Sequence, residues 1–405
     1  MLIGVISKFP PKGEKHTATG GVAGYTKNLV TNLSAKNKVI VYADKLEPSD
    51  IDYFEDGSLI FRIWNKGVLY PFKILAKISK HKPDIVHIQH EFFLYGGAAS
   101  SVVFLLLLLV LKFLNIPSVT TIHGIVPLSS IDINFVKENK SNLPPFIAKL
   151  GFLILTKCIN FLSSVIIVHE KKFIDLLQNE YNCRHSKCKV IHHGIEVKND
   201  SIPKLDAKHE LGLENKKVIL FFGYITGYKG IELLIDAFEI LAKTNDDYVL
   251  LLAGGEHPRF LNVPSHKEYV NNLKNRTNNI SSQIIFTGFV PENKIPIYFS
   301  SADVVVFPYT VGMASSGSMS FAIAYNKPFL VSEAFGDIVG VKEAVFNKNP
   351  EDLADKMRTC LSSEAIQNKL ISLSSKLKEE RSWDKAGEST NNLYHEILSL
   401  QRQNI

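Results

Sequence analysis

Cysteine, long apolar spans and paired metal ligands are all scarce in this chain, and each scarcity narrows what it can be. The four cysteines, Cys158, Cys183, Cys188 and Cys360, form no recognisable metal-ligand spacing. Cys183 and Cys188 bracket Arg184, His185 and Lys187, which leaves a zinc reading open; free thiols on or near a loop in a reducing cytosol is the simpler expectation. No metal is expected. The longest apolar run, Val102 to Leu111, stops at Lys112. It falls short of the about 20 residues a membrane span needs, so a helix buried all round is expected there. No basic segment, apolar core and cleavage site precede the apolar residues Met1–Ser7, so no secretory leader is expected.

What is present is ordinary for a globular protein: 45% hydrophobic and 21% charged residues over 405 positions, enough length for two domains. Charge is uneven. Residues 1–200 carry 24 Lys/Arg against 16 Asp/Glu, and residues 201–405 carry 22 against 24. A basic amino-terminal half suits an anionic substrate or membrane surface, or is simply solvated. The stretch from Pro145 to Leu162 sets Lys149 and Lys157 among Leu, Ile and Phe. Those lysines either snorkel at a bilayer surface or mark the outer face of a packed helix.

Short apolar runs alternate with helical patterns along almost the whole length, which is the signature of parallel sheets covered by helices. Strands are expected at 2–7, 38–42, 59–64, 84–88, 118–122, 165–168 and 189–192. Helices fall between them, near 22–34, 70–80, 98–114, 145–163 and 171–179. The polar segment 197–216, with Pro203, reads as a linker followed by a short helix. A second series follows, with strands at 218–222, 248–252, 283–287, 303–307 and 328–332 and a helical tail from about 351. The expected division is a doubly wound domain over 1–196, the linker, a second domain over 217–380, and a closing helix over 381–405. Ligands of such folds bind at the carboxyl ends of the strands.

The loops at those strand ends carry the candidate chemistry. Gly20 and Gly21 precede the first helix, where backbone N–H groups suit a diphosphate; the spacing is not the dinucleotide fingerprint. His123 ends the strand Thr120–Ile122, placed to bond a sugar or to pin its own loop. His90 and Glu91 follow another strand, in a loop that could meet an acceptor. In the second half, Gly223, Tyr224, Thr226 and Lys229 join a strand to its helix. A lysine there opposes the charge of a departing phosphate. Ser315, Ser316 and Gly317 open a helix and form either an anion cradle or a plain cap.

Taken in order, these pieces resemble the retaining family 4 glycosyltransferases. The resemblance runs through Gly20-Gly21, Pro83-Asp84-Ile85-Val86-His87, Gln89-His90-Glu91, Thr121-Ile122-His123-Gly124, and Ile191-His192-His193-Gly194-Ile195. It continues with Gly223 to Gly230, Leu252 to Gly255, Phe286 to Val290, Ala302 to Pro308, Lys327-Pro328 and Ser382-Trp383-Asp384. It implies a GT-B fold of two Rossmann-like domains, with the last helix crossing back onto the first. It implies transfer of a hexose, mannose or glucose type, from a nucleotide-sugar donor with retention. No further cofactor is implied; the acceptor would be a glycan or a polyprenyl-linked sugar, and no nucleic acid is expected. Carried over, Lys229 holds the phosphates, Gly20 and Gly21 line them, and His123 meets the transferred sugar. A cytoplasmic location, with peripheral contact at the cytoplasmic face of a membrane, fits this reading.

Two departures from the family pattern matter. The arginine expected shortly before Lys229 is replaced by Tyr224 or Thr226. The two glutamates expected eight positions apart fall on Met313 and Phe321. Lys8, Lys12, Lys15 and Arg259 are candidates for the missing cation. A catalytically weakened sugar-nucleotide-binding or scaffold protein is the competing reading; an epimerase or phosphorylase finds no motif.

Overall fold

The structure, a computed structural model, describes every residue except 15–20, 48–50, 140–142, 198–201, 258–259, 281, 313–316 and 404–405. The chain divides into two compact units. Of the described residues, unit 1 comprises those within 1–194 and 383–403, and unit 2 those within 195–312 and 317–382.

Unit 1 is built on strands β1 (Leu2–Ser7), β2 (Lys38–Asp44), β3 (Tyr53–Glu55), β4 (Ser58–Trp64), β5 (Ile85–His90), β6 (Ser118–Ile122), β7 (Val165–Val168) and β8 (Cys188–Val190). Among the described residues they form one sheet in the order β3-β4-β2-β1-β5-β6-β7-β8, parallel except at β3. The central strands are near-continuous apolar runs because helices cover both faces. One face packs Ile3, Val5, Ile85 and Val119 under the helices Gly21–Ser34 and Trp383–Gln403. The other packs Ile6, Val86 and Ile88 under Tyr70–His81, Ala98–Phe113 and Pro145–Leu162. The last helix therefore completes the core of the first unit, with Trp383, Leu393, Tyr394 and Ile397 buried in it.

Unit 2 holds β9 (Lys217–Phe222), β10 (Tyr248–Ala253), β11 (Ile284–Gly288), β12 (Val304–Phe307), β13 (Phe329–Ser332) and β14 (Val345–Phe346). Their order is β11-β10-β9-β12-β13-β14, all parallel. In each unit the order reverses once beside the first strand, between β1 and β5 and between β9 and β12. The loops leaving those strands flank the place where such sheets open a crevice.

Two sequence expectations change. The linker does not run to residue 216: the short helix expected there is Lys204–Glu210, and it packs on Ile295–Ser301 within unit 2. Lys208 donates to Asp303 at 2.7 Å, Lys204 also reaches that carboxylate, and the Val218 amide donates to it at 2.7 Å. The helix Ala98–Phe113 is not buried all round, because Val102, Leu106, Leu109 and Phe113 are exposed. Cys183 and Cys188 are free thiols on or near a loop, as expected, Cys183 within one and Cys188 opening β8. Cys158 and Cys360 lie in helices, Cys183, Cys188 and Cys360 are buried, and burial pushes the Cys183 thiol up to about 12 and Cys188 to about 11.

Candidate functional site

In unit 2 the loops after β9 and β12 meet at the switch point. The β9 loop turns through Gly223 at φ +137° and ends in a short 3-10 turn, Gly227–Lys229. The turn closes on Gly230, which has φ +66° and whose α-carbon faces the Pro308 carbonyl so closely that a Cβ would sit 2.0 Å from it. Only glycine fits there. That contact, with the Thr310 amide donating to the Tyr228 carbonyl at 2.9 Å, locks the two loops together. Lys229 is consequently buried, its ammonium donating to the Tyr309 hydroxyl and lying over the Tyr309 ring. Burial lowers its pKa. A desolvated cation held by neutral tyrosine side chains gains much from an anion.

The neighbours of Lys229 fit such an anion. A Cβ on Gly223 would come within 2.8 Å of Ser318 Oγ and 3.9 Å of Lys229 Nζ, so a backbone notch, a hydroxyl and the ammonium converge. The Thr226 hydroxyl is buried without a partner. Gly317 opens the helix Gly317–Ala324 and is exposed there; Ser315 and Ser316 lie outside the described residues. Tyr224 stacks edge-on with His257 at 4.8 Å, and burial raises its pKa. Sequence reasoning missed Glu256, which follows Gly255 past the end of β10. Its Oε2 and His266 Nε2 are buried 3.7 Å apart, neither with a hydrogen-bond partner.

The position where the resemblance puts a ribose-binding glutamate is Phe321, packed edge-on against Phe222 at 5.7 Å and beside Phe299 at 5.8 Å. Its ring belongs to the core margin, so the position carries no carboxylate. Met313, the other position, lies outside the described residues, as do Lys15 and Arg259. Lys12 lies over the Tyr53 ring within unit 1.

In unit 1 the sequence candidates separate. Gly21 is the exposed first residue of its helix, while Gly20 lies outside the described residues. His90 is not in a loop: it ends β5 and packs against Phe104 at 4.8 Å, its Nδ1 buried without a partner. Burial lowers its pKa to about 4. Glu91 follows it and is exposed. His123 turns the other way, edge-on to Tyr25 at 4.6 Å. The His123 amide donates to the His90 carbonyl at 3.0 Å.

His123 is one member of a buried polar chain whose linkage sequence reasoning missed. Tyr394 meets His87 Nδ1 at 2.5 Å, and His87 Nε2 meets Thr121 at 2.7 Å and the Gln89 amide at 3.3 Å. The far side of that amide lies 2.8 Å from His123 Nε2; His123 Nδ1 lies 3.3 Å from His169 Nε2, and His169 Nδ1 lies 2.9 Å from the Ile191 carbonyl. Burial, then the neighbouring histidines, lowers His123 well below the usual range; burial, then a neighbouring histidine, takes His87 and His169 to about 3. The rings are therefore neutral near pH 7. A carbonyl only accepts, so His169 carries its proton on Nδ1, and His123 then donates from Nδ1. His123 Nε2 needs a donor, which the Gln89 amide supplies when its NH₂ end faces that ring. Both ring nitrogens of His123 are thus engaged inside unit 1.

Two family models match the chain: Glycosyltransferase Family 4 over residues 19–199 and Glycosyl transferases group 1 over residues 204–377. The chain belongs to the family 4 glycosyltransferases. Its two Rossmann-like units are those of the GT-B fold. YtcC of Bacillus subtilis, provisionally named a glycosyltransferase, is 27% identical over 52% of this chain and 55% of its own length. The alpha-monoglucosyldiacylglycerol synthase of Streptococcus pneumoniae is 24% identical over 76% of this chain and 69% of its own. HepE of Anabaena, solved in complex with UDP, superposes with a TM-score of 0.71 at 17% identity, covering 98% of this chain and 100% of that one.

Proposed function

We propose that this family member transfers a hexose of glucose or mannose type from a nucleotide sugar to a lipid-linked or glycan acceptor, with retention, in the cytoplasm. The observation that carries the proposal is the buried Lys229 ammonium at the β9/β12 switch point, beside the notch at Gly223, Ser318 and the partnerless Thr226 hydroxyl. In this reading the bond from the anomeric carbon to the diphosphate oxygen breaks and a bond to the acceptor oxygen forms. The acceptor's proton passes to the diphosphate. Lys229, the loop amides and the amino end of the helix Gly317–Ala324 meet the leaving charge, and no cofactor beyond the nucleotide sugar is invoked. The UDP complex of HepE favours a uridine donor, and the glycolipid synthase favours a lipid acceptor. Within unit 1, a sugar contact through His123 Nε2 would displace the Gln89 amide.

A second reading, binding without turnover, is favoured by Phe321 in the ribose position and by Tyr224 and Thr226 where an arginine is usual. One experiment separates them. The melting temperature is measured with UDP-, GDP- and ADP-sugars, and sugar release is followed in the same samples. At a ligand concentration of about 100 Kd, stabilisation of about 2.7 kcal/mol is expected with the correct donor. Lys229→Ala should abolish most of it and slow transfer by about 10²–10³-fold. A donor shift without sugar release supports the second reading, and a donor shift unchanged in Lys229→Ala overturns the site.

A further inference from the structure

The helices Ala98–Phe113 and Pro145–Leu162 pack side by side on one face of the unit 1 sheet, and neither is covered on its outer side. On the first, Val102, Leu106, Leu109 and Phe113 form an exposed stripe at spacings of four, three and four residues, with Phe113 79% exposed. On the second, Ile147, Leu150, Ile154 and Phe161 follow the same face with Lys157 between them, and Phe146 stands at its start 70% exposed. The stripes meet where the Lys112 ammonium lies over the Phe161 ring at 4.4 Å. Scattered exposed leucines need no explanation; two adjoining helical stripes of large apolar side chains do.

Charge identifies the partner. Neither helix contains an aspartate or a glutamate, and their charged residues are Lys112, Lys149 and Lys157. Long lysine stems lie along apolar surface while their ammonium groups reach outward, which suits a layer with acyl chains below and phosphate above. A second copy of the chain docking face to face would bring these lysines together with no carboxylate on either helix to meet them. The helix Pro145–Leu162 is long and apolar enough to cross a bilayer, yet it is built into the domain. Thr156, Ile159 and Asn160 are buried on its inner side, and Lys187 closes its last turn by donating to the carbonyls of Asn160, Phe161 and Ser163 at 3.2, 3.0 and 2.7 Å.

We infer that the paired outer faces of Ala98–Phe113 and Pro145–Leu162 form a docking surface for an anionic lipid bilayer, lying in its interface rather than spanning it. This deepens the proposed function by placing the acceptor's membrane against unit 1, and rests on that function only for the meaning of the contact.

The test uses the full chain and extruded vesicles, either pure phosphatidylcholine or an equal mixture with phosphatidylglycerol, in flotation assays that involve no sugar transfer. The wild type should partition onto the mixed vesicles at least about tenfold more than onto phosphatidylcholine, with high salt weakening the difference. Leu109→Gln with Ile154→Gln should abolish flotation, and Lys112→Gln with Lys157→Gln should weaken it by about fivefold per lysine on the anionic vesicles. Both variants should keep the wild-type melting temperature and donor-induced shift, so loss of the donor shift alone would bear on the transfer reading and not on this surface. Failure of the wild type to float, equal flotation on both vesicles, or glutamine variants that float like the wild type would overturn the inference. So would a sedimenting dimer that the apolar substitutions dissociate.

Discussion

At the scale of single residues, the buried side chains of unit 1 are organised around a polar chain more than around one catalytic ring. Gln89 is its pivot, with His87 on one side and His123 on the other. Replacing Gln89 with Ala would strand both rings without water, so a loss of about 1–3 kcal/mol is expected, read from the urea midpoint. Tyr394→Phe removes only the terminal hydroxyl at His87 and should cost less. If Gln89→Ala and Tyr394→Phe are equally mild, the rings have found other partners and the chain is not a unit. His123 was legible as a special residue because a histidine stood at a strand end. Its partners were not, since His87, His169 and Tyr394 are 36, 46 and 271 positions away, and no local pattern encodes such a meeting.

At the scale of elements, apolar runs announced the strands, and the units' main strands begin and end within a few residues of where those runs do. β3 and β14, at three and two residues, escaped because pairing with a neighbour rather than their own sequence makes them strands. The helix Ala98–Phe113 was misread for another reason. Five successive leucines have no polar side, so periodicity cannot tell which face meets solvent. The short helix before β9 was legible, but its place in unit 2 was not, because Pro203 and many charges look like a linker, whereas Asp303 recruits those charges. Burial alone would push the Asp303 carboxyl up, but hydrogen bonds from Lys204 and Lys208 hold it below the usual range. Asp303→Asn should therefore cost about 3–5 kcal/mol, because it leaves Lys208 buried without its counter-charge. The melting temperature checks this, and a shift of under a degree would show that the clamp is ornamental. In the donor loops, glycine spacing was legible, while the Lys229–Tyr309 contact, between residues 80 positions apart, was not.

At the scale of the whole molecule, the two units should respond differently to acid. The histidines held far below their usual range, His87, His90, His123 and His169, all belong to unit 1. Their folded pKa values lie below the unfolded value of about 6.5. Between those limits the unfolded chain binds more protons, so stability is full above pH 6.5 or so and is lost as pH falls toward 4 and then 3. The slope is about 1.4 kcal/mol per pH unit for each such ring, less where the rings share protons. Both tryptophans, Trp64 and Trp383, are also in unit 1. Acid titration followed by tryptophan fluorescence should therefore report an early transition, near pH 5, that circular dichroism shows to leave much of the helix content in place. Coincident transitions would mean that the histidine chain does not set acid stability.

The return of the last helix has a consequence for how the protein is made. The chain leaves unit 1 at Gly194 and re-enters at Trp383, whose indole packs so tightly on Gly194 that a Cβ there would lie 2.1 Å from it. Between these points unit 2 is closed on itself: the Ile195 amide donates to the Arg381 carbonyl at 2.7 Å, and Ile195 bridges to Ser382. During synthesis, the middle of the chain can finish folding while its beginning cannot. Until residues 383–403 leave the ribosome, the helix Gly21–Ser34 lacks the last helix as its packing partner, and the first-made half is the last to be sealed. Nascent chains halted before Trp383 should accordingly be held by chaperones through unit 1 while unit 2 already resists protease.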